Sequence, residues 1–149
     1  MNTFKKIYCR IFQKCFKLVI PVLPYRTPKI LKSTSLISHV CMDNHISKVM
    51  VITDATVHQL GILDCMCEHL DHHSIEYVVY DKTVANPTSD NVEEAKNLYL
   101  SSNCQALIGF GGGSSMDCAK AVGARLARPR RPLSKICLLY TSPSPRDCS

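Results

Sequence analysis

A glycine-rich turn between a predicted strand and a predicted helix is the part of this sequence with the clearest potential for chemistry. The stretch Gln105–Gly123 reads QALIGFGGGSSMDCAKAVG. Its apolar start, 106–108, predicts a buried strand, and Ser114 or Ser115 is expected near the N-cap of the helix. Unpaired N–H groups at a helix start, beside backbone without Cβ atoms, favour phosphate binding. The alternative is a glycine-rich βα turn that binds nothing.

Two more polar side chains follow predicted strands. Asp54 ends the apolar strand 48–54, and Asn86 follows the strand 75–81 in an Asn-Pro-Thr turn. Doubly wound sheets bind ligands at the carboxyl edge of their strands. An aspartate there can accept hydrogen bonds from both hydroxyls of an adenosine ribose and would repel a 2′-phosphate. The alternatives are a helix N-cap for Asp54 and a local Asx turn for Asn86.

Taken together, three motifs resemble those of the iron-containing (group III) alcohol dehydrogenases and the related glycerol dehydrogenases. They are Thr53-Asp54, Asn86-Pro87-Thr88 and the GGGSSMDCAK of Gly111–Lys120. The resemblance implies NAD as the cofactor in preference to NADP. The dinucleotide-binding residues that it implies are Asp54, Asn86, Gly112, Gly113, Ser114, Ser115 and Asp117.

Two of these positions need comment. The family often has proline where this chain has Ser115, so the serine is expected to add a hydroxyl toward the phosphate. Asp117 is expected near the cofactor, and the alternative is an intrahelical ion pair with Lys120, one turn away.

The resemblance also implies an enzyme that oxidises an alcohol, or reduces an aldehyde or ketone, by metal-assisted hydride transfer. In the family, one aspartate and three histidines of a following helical domain hold a divalent metal, usually iron. All six histidines of this chain precede the glycine turn. No catalytic or metal-binding residue is therefore predicted here, and the chain alone is expected to be inactive. The alternative is a non-catalytic nucleotide- or phosphate-binding module.

Charge and cysteine content exclude other classes. The net charge of +6 arises in residues 1–32, which hold eight basic residues and no acidic one. This distribution argues against a nucleic-acid-binding domain. No apolar run reaches the 18 residues of a membrane span. The nine cysteines are irregularly spaced, which favours reduced thiols in a cytoplasmic protein. A metal site among Cys65, Cys67, His69, His72 and His73 is not expected, because they point in different directions around a helix.

Three repeats of strand and helix predict an α/β, Rossmann-like, mostly parallel sheet with flanking helices. Residues 1–27 are predicted to be a basic amphipathic helix and a proline-rich linker, and 28–136 a truncated dinucleotide-binding domain. That helix either packs on a larger enzyme, which is preferred, or lies on an anionic surface. Residues 137–149 are expected to be an artefactual, disordered tail, because Cys137–Asp147 resembles a translated sequencing adapter. The natural protein is then a longer one, in which a homo-oligomer is possible.

Several local elements complete these expectations. Pro28–Leu31 is predicted to be a short edge strand, and helices are predicted at 36–44 and at 57–73. The second helix has an expected apolar stripe of Leu60, Leu63, Cys67 and Leu70. Asp90 and Glu93 are expected to form a capping box for a helix that reaches residue 101.

Overall fold

The structure is a computed structural model and describes residues 29–130. The chain divides into two compact units, residues 1–31 and 32–149. The predicted N-terminal amphipathic helix and the adapter-like segment from Cys137 lie outside the described residues. In the first unit, the described residues 29–31 form no strand, contrary to the prediction for Pro28–Leu31. Ile30, an apolar residue of the predicted strand, is 90% exposed.

The second unit contains a parallel sheet of three strands within its described part. The strands are β1 (Lys48–Ile52), β2 (Glu76–Tyr80) and β3 (Ala106–Gly109), in the order β2-β1-β3. The prediction of an α/β, Rossmann-like parallel sheet is confirmed. The four residues 49–52 of β1 are completely buried, which explains the uninterrupted apolar sequence of this central strand. β3 is half-buried instead of buried, because the described sheet ends there.

Helices cover both faces of the sheet. They are α1 (Leu36–Asp43), α2 (Ala55–Gln59), α3 (Asp64–His72), α4 (Ser89–Ser101) and α5 (Gly113–Ala127). Side chains alternate along β1, so Val49 and Val51 pack with α1 and α3 while Met50 and Ile52 pack with α4 and α5. Each face therefore has its own apolar core, and both cores meet at the central strand.

The single helix predicted for 57–73 is wrong. The segment is divided between α2 and α3 by a turn in which Gly61 has a φ of +66°. Leu60, which belonged to the predicted stripe, is 68% exposed because it lies in that turn. Cys67 is only half-buried. The buried side chains of this segment are Leu63, Met66 and Leu70.

The start of α4 also differs from the prediction. Thr88, not Asp90, is the N-cap, and its hydroxyl accepts a hydrogen bond from the Asn91 N–H at 3.4 Å. In return the Thr88 N–H donates to Asn91 Oδ1 at 3.3 Å, which completes a capping box. Glu93 takes no part in this cap, because the helix begins two residues before the predicted position.

Glu93 instead joins α4 to α5. Its carboxylate accepts a hydrogen bond from Arg125 Nε of α5 at 2.5 Å and a second one from Lys96 Nζ of α4. The Arg125 guanidinium, followed by Lys96, lowers the pKa of Glu93 to about 2. The pair lies next to the core that α4 and α5 share, so it reinforces their packing.

This ion pair predicts a defined acid sensitivity. The pKa of Glu93 falls from 4.5 to about 2 on folding, so ionised Glu93 stabilises the folded chain above pH 4.5 and loses this effect as the pH falls toward 2. We expect Glu93→Gln to lower the free energy of unfolding near pH 7 by about 1 kcal/mol or less, because the carboxylate is 38% exposed. The difference should shrink as the pH falls from 4.5 and vanish below pH 2, as measured by urea unfolding followed by circular dichroism.

Glu76→Gln is the matched control, because Glu76 is 73% exposed and pairs only with Lys48 among the described residues. Its unfolding free energy should follow that of the parent chain at every pH. Parallel pH profiles for the parent and Glu93→Gln would contradict the assigned role of Glu93.

Candidate functional site

The carboxyl edge of the sheet brings Asp54 next to the glycine turn. In the pairing of β1 with β3, Ile52 lies opposite Gly109. Asp54 comes two residues after Ile52, and Gly111 comes two residues after Gly109. A Cβ placed on Gly111 would lie 3.3 Å from Asp54 Oδ2. The acidic side chain and the turn are therefore neighbours on one edge of the sheet.

Asp54 has two environments, one for each carboxylate oxygen. Oδ1 accepts a hydrogen bond from the Val57 N–H at 3.0 Å and so caps α2, which is the alternative considered from the sequence. Oδ2 faces Gly111 and has no hydrogen-bond partner within residues 29–130. An isolated backbone bridge between Asp54 and Lys82 also ties this position to the segment that follows β2. The helix cap thus holds the side chain in place and leaves one oxygen at the turn.

Two of the glycines are required by the protein itself. Gly111 has a φ of +124°, which L side chains rarely adopt. A Cβ on Gly109 would lie 2.9 Å from the Ala119 side chain, so glycine there allows α5 to pack closely on β3.

Gly112 and Gly113 differ from these two, because nothing in the described chain requires glycine there. A Cβ on either residue would meet no atom within 4 Å, and Gly112 has an ordinary φ of −76°. Both are exposed. The missing Cβ atoms leave an open surface on the turn, which a ligand can approach down to the backbone.

This open surface coincides with the start of α5. Gly112 is the N-cap and has no side chain to cap the helix, so the N-cap lies two residues before the predicted Ser114. The first intrahelical bond closes from the Met116 N–H to the Gly112 carbonyl at 3.2 Å. The N–H groups before Met116 therefore have no partner inside the helix and, with the helix dipole, can bind an anion.

The two serines of the turn have different surroundings. Ser115 is only 1% exposed, and its hydroxyl has no hydrogen-bond partner among the described residues. It lies 3.1 Å from the position of a Cβ on Gly111, which places it inside the turn and away from the open surface. Ser114 is half-buried. Ser114 is thus the hydroxyl better placed to reach a ligand on the open surface.

Asp117 and Asn86 both lie at the surface. Asp117 forms a 3.5 Å ion pair with Lys120, which is the alternative considered from the sequence. Asn86 adopts a left-handed conformation with a φ of +57°, and its side chain makes no hydrogen bond with the described residues. The local Asx bond considered for Asn86 is therefore not observed, and its amide remains available.

Sequence analysis singled out Thr53 in the Thr53-Asp54 motif but missed the other polar side chains near this edge. His58 of α2 pairs with Asp81, through Nδ1 and Oδ2 at 2.7 Å. Thr53 and Thr83 are buried, and the Thr53 hydroxyl has no hydrogen-bond partner in the described part of the chain. Asp81 and Thr83 could have been found from the sequence, because they come just after the apolar run that predicts a strand.

The remaining candidates give no second site. Within residues 29–130, no group of three or more His, Cys, Asp or Glu side chains is arranged to hold a metal ion. The Nδ1 atoms of His69 and His73 instead lie 2.7 Å from the backbone carbonyl four residues earlier. None of the helices in this range is long and apolar enough to cross a membrane.

Comparison with known proteins identifies a family that this chain resembles. A family model described as iron-containing alcohol dehydrogenase matches residues 32–146. The choline dehydrogenase of Bacillus subtilis is 41% identical over 78 residues, which cover 52% of this chain and 19% of that protein. The NAD-dependent methanol dehydrogenase of Bacillus methanolicus is 32% identical over 76 residues, which cover 51% of this chain and 20% of that protein.

The fold agrees with a solved structure, that of an NADH-dependent butanol dehydrogenase A from Thermotoga maritima. The TM-score is 0.64 at 26% identity, over 74% of this chain and 29% of that one. The segment of each curated relative that matches this chain is about a fifth of that relative's length. Since the family model matches well over half of the residues, this chain belongs to the iron-containing alcohol dehydrogenases, a family of oxidoreductases.

Proposed function

We propose that residues 28–136 are the NAD-binding part of an enzyme that oxidises an alcohol or reduces an aldehyde or ketone. The observation that carries this proposal is the open glycine surface at the start of α5, next to the unpaired Oδ2 of Asp54. Family membership supports a nicotinamide cofactor, iron and a small-molecule substrate.

The pyrophosphate is proposed to lie on Gly112 and Gly113. The unpaired N–H groups of the first turn of α5 would donate to its oxygens, and the Ser114 hydroxyl would add another hydrogen bond. The open space above both glycines allows this close approach. Asp117 lies one turn further along α5, exposed beside Lys120, and is proposed to face the nicotinamide side of the cofactor.

The adenosine ribose is proposed to bind at Asp54. Oδ2 would accept a hydrogen bond from a ribose hydroxyl, while Oδ1 keeps its bond to the Val57 N–H. A 2′-phosphate would bring negative charge against the carboxylate, so NAD is favoured over NADP. The free amide of Asn86, held by its left-handed backbone, is proposed to donate a further hydrogen bond to the cofactor.

The metal is proposed to be held by a helical domain that this chain does not contain. The residues 29–130 supply no group of ligands for it. When bound, the nicotinamide supplies the hydride acceptor or donor, and this chain's own residues hold the dinucleotide in place. We therefore propose that the 149-residue chain binds NAD weakly and does not turn over, and that the full-length enzyme is cytoplasmic and can form a homo-oligomer.

Asp54 allows a test that separates charge from helix capping. Asparagine caps helices as well as aspartate does, so Asp54→Asn should keep α2 and remove the negative charge. We expect the ratio of NADPH to NADH affinity to rise about tenfold, which corresponds to about 1.4 kcal/mol. Titration of the purified chain with each nucleotide, followed by nucleotide fluorescence, measures this ratio.

Asp43→Asn is the matched control, because Asp43 is exposed at the end of α1, directly before β1 begins at the opposite edge of the sheet. It changes the net charge equally and should leave the ratio unchanged. A ratio that stays constant in Asp54→Asn would remove Asp54 from the ribose site.

The open glycines give a second test, in which stability and binding respond differently. Gly112→Ala and Gly113→Ala add a Cβ that touches no described atom. Unfolding free energy should therefore stay constant or rise by up to about 1 kcal/mol in Gly113→Ala, since alanine is less flexible than glycine. In Gly112→Ala it should fall by about 1 kcal/mol or less, because alanine is a poorer N-cap than glycine. NADH affinity should fall at least about tenfold, because the Cβ occupies the phosphate position. Urea unfolding and fluorescence titration measure the two effects.

Gly123→Ala is the control within the same helix. Its Cβ would make an ordinary 3.6 Å contact with Leu107, so stability should rise without any change in NADH affinity. Unchanged NADH binding in Gly112→Ala and Gly113→Ala would contradict the proposed phosphate position. Pyrophosphate that competes with NADH supports it, whereas pyrophosphate binding without NADH binding would indicate a plain anion-binding module.

A further inference from the structure

The outer edge of β2 has no neighbouring strand in the described part of the sheet. β2 pairs with β1 on one side only, because the strand order is β2-β1-β3. The Tyr80 carbonyl accepts a hydrogen bond from the Thr53 N–H at 2.9 Å, so the backbone of Tyr80 faces β1. Backbone groups alternate in direction along a strand, and those of Tyr77 and Val79 therefore point away from β1. Their N–H and C=O groups are open to a further strand.

A half-open groove of about 400 Å³ lies along this edge, between the end of β2 and one face of α4. Val79 and Tyr80 belong to its strand side, and residues 94, 97, 98 and 101 of α4 form its helical side. Val78 and Val79 are half-buried, whereas residues 49–52 of the central strand are completely buried. The described residues thus leave both backbone and apolar side chains of β2 partly uncovered.

The two ends of β2 carry exposed charges of opposite sign. The side chain of Glu76, at the start, is 73% exposed, and that of Lys82, just past the end, is 67% exposed. Val78 and Tyr80 face the core under α4, so Glu76 and Lys82 lie on the same face of the strand. Glu76 and Lys82 are equally far from Val79. An antiparallel pair of two copies centred on Val79 therefore places each Glu76 opposite the partner's Lys82.

We propose that the outer edge of β2 binds a second copy of this chain, so that the two strands pair antiparallel about a twofold axis at Val79. Val79 exchanges N–H···O hydrogen bonds with the partner's Val79, and the described sheets join into one of six strands. Lys82 then lies between its own Glu94, which it already contacts at 2.7 Å, and the partner's Glu76. Opposite charges directly across a strand pair stabilise it.

The other outer strand is less suited to this pairing. β3 has four residues, Ala106–Gly109, and no charged side chain that could fix a register. The pairing at β2 gives the proposed homo-oligomer a defined surface, and it does not depend on NAD binding. The contact is one strand and one helical face from each copy, so we expect a weak pair that forms in concentrated solution. The dilute chain used for unfolding is then a monomer.

Charge reversal at the two positions tests both the surface and the register. In pairs of identical chains, Glu76→Lys or Lys82→Glu places like charges opposite each other at both ends of the strand. Each variant alone should therefore dimerise at least about tenfold more weakly than the parent chain. An equimolar mixture of the two variants restores opposite charges at both ends, so mixed dimers should form with about the affinity of the parent. Sedimentation velocity over a concentration series measures these affinities.

Glu68→Lys is the matched control, because Glu68 is exposed on α3, on the other face of the sheet from α4. It changes the net charge as Glu76→Lys does and should leave dimerisation unchanged. Circular dichroism checks that each variant is folded. If one charge-reversed variant does not fold, Glu76→Gln and Lys82→Gln should each weaken the dimer about two- to fivefold.

Three results would overturn the proposal: a parent chain that is monomeric at every concentration, a dimer that charge reversal does not weaken, or a mixture of the two variants that stays monomeric. NADH titration of the same proteins keeps this result apart from the proposed function. If the parent chain dimerises as expected but binds no NADH, the proposed function fails and the pairing surface stands. If it binds NADH as a monomer at every concentration, only the pairing surface fails.

Discussion

The parallel register between β1 and β3 is the constraint on which the candidate site depends. With Ile52 opposite Gly109, the chain leaves both strands at one edge and places Asp54 beside Gly111. A shift of one residue would turn Asp54 to the other face of the sheet, because side chains alternate along a strand. The Phe110 N–H, which donates to the Ile52 carbonyl at 2.9 Å, extends this pairing up to the turn.

The core holds this register. The side chains of β1 are divided between two apolar clusters, one toward α1 and α3 and the other toward α4 and α5. If β1 slipped by one residue, its side chains that face one helical layer would face the other. Each cluster would lose the β1 side chains that pack in it, at a cost of about 2–5 kcal/mol for each large side chain lost from its place. The position of a carboxylate at the surface is therefore determined by apolar packing beneath it.

The sequence predicted the sheet and the neighbouring positions of Asp54 and the glycine turn, because both depend on long apolar runs and on the order of elements. It could not predict the break at Gly61, since Leu60 continues the apolar period of the helix although its side chain is exposed. It also could not predict that Thr88 caps α4, because threonine and aspartate at neighbouring positions offer equivalent capping chemistry. In both places the choice is made by contacts that lie outside the local pattern.

The start of α5 shows how such a small difference changes chemistry. Because Gly112 is the N-cap, Ser115 lies on the same helical face as Cys118 and Val122, which are completely buried. That face packs on the sheet, so the Ser115 hydroxyl is buried next to Gly111. Gly113, on another face of the helix, is exposed. The glycine turn is thereby divided into an outer side of bare backbone, suited to an anion, and an inner side with a hydroxyl that needs a partner. Asp54 Oδ2 also lies on this side of the turn, 3.3 Å from the position of a Cβ on Gly111. The start of the helix therefore places the open glycine surface and the acidic side chain on one turn of backbone.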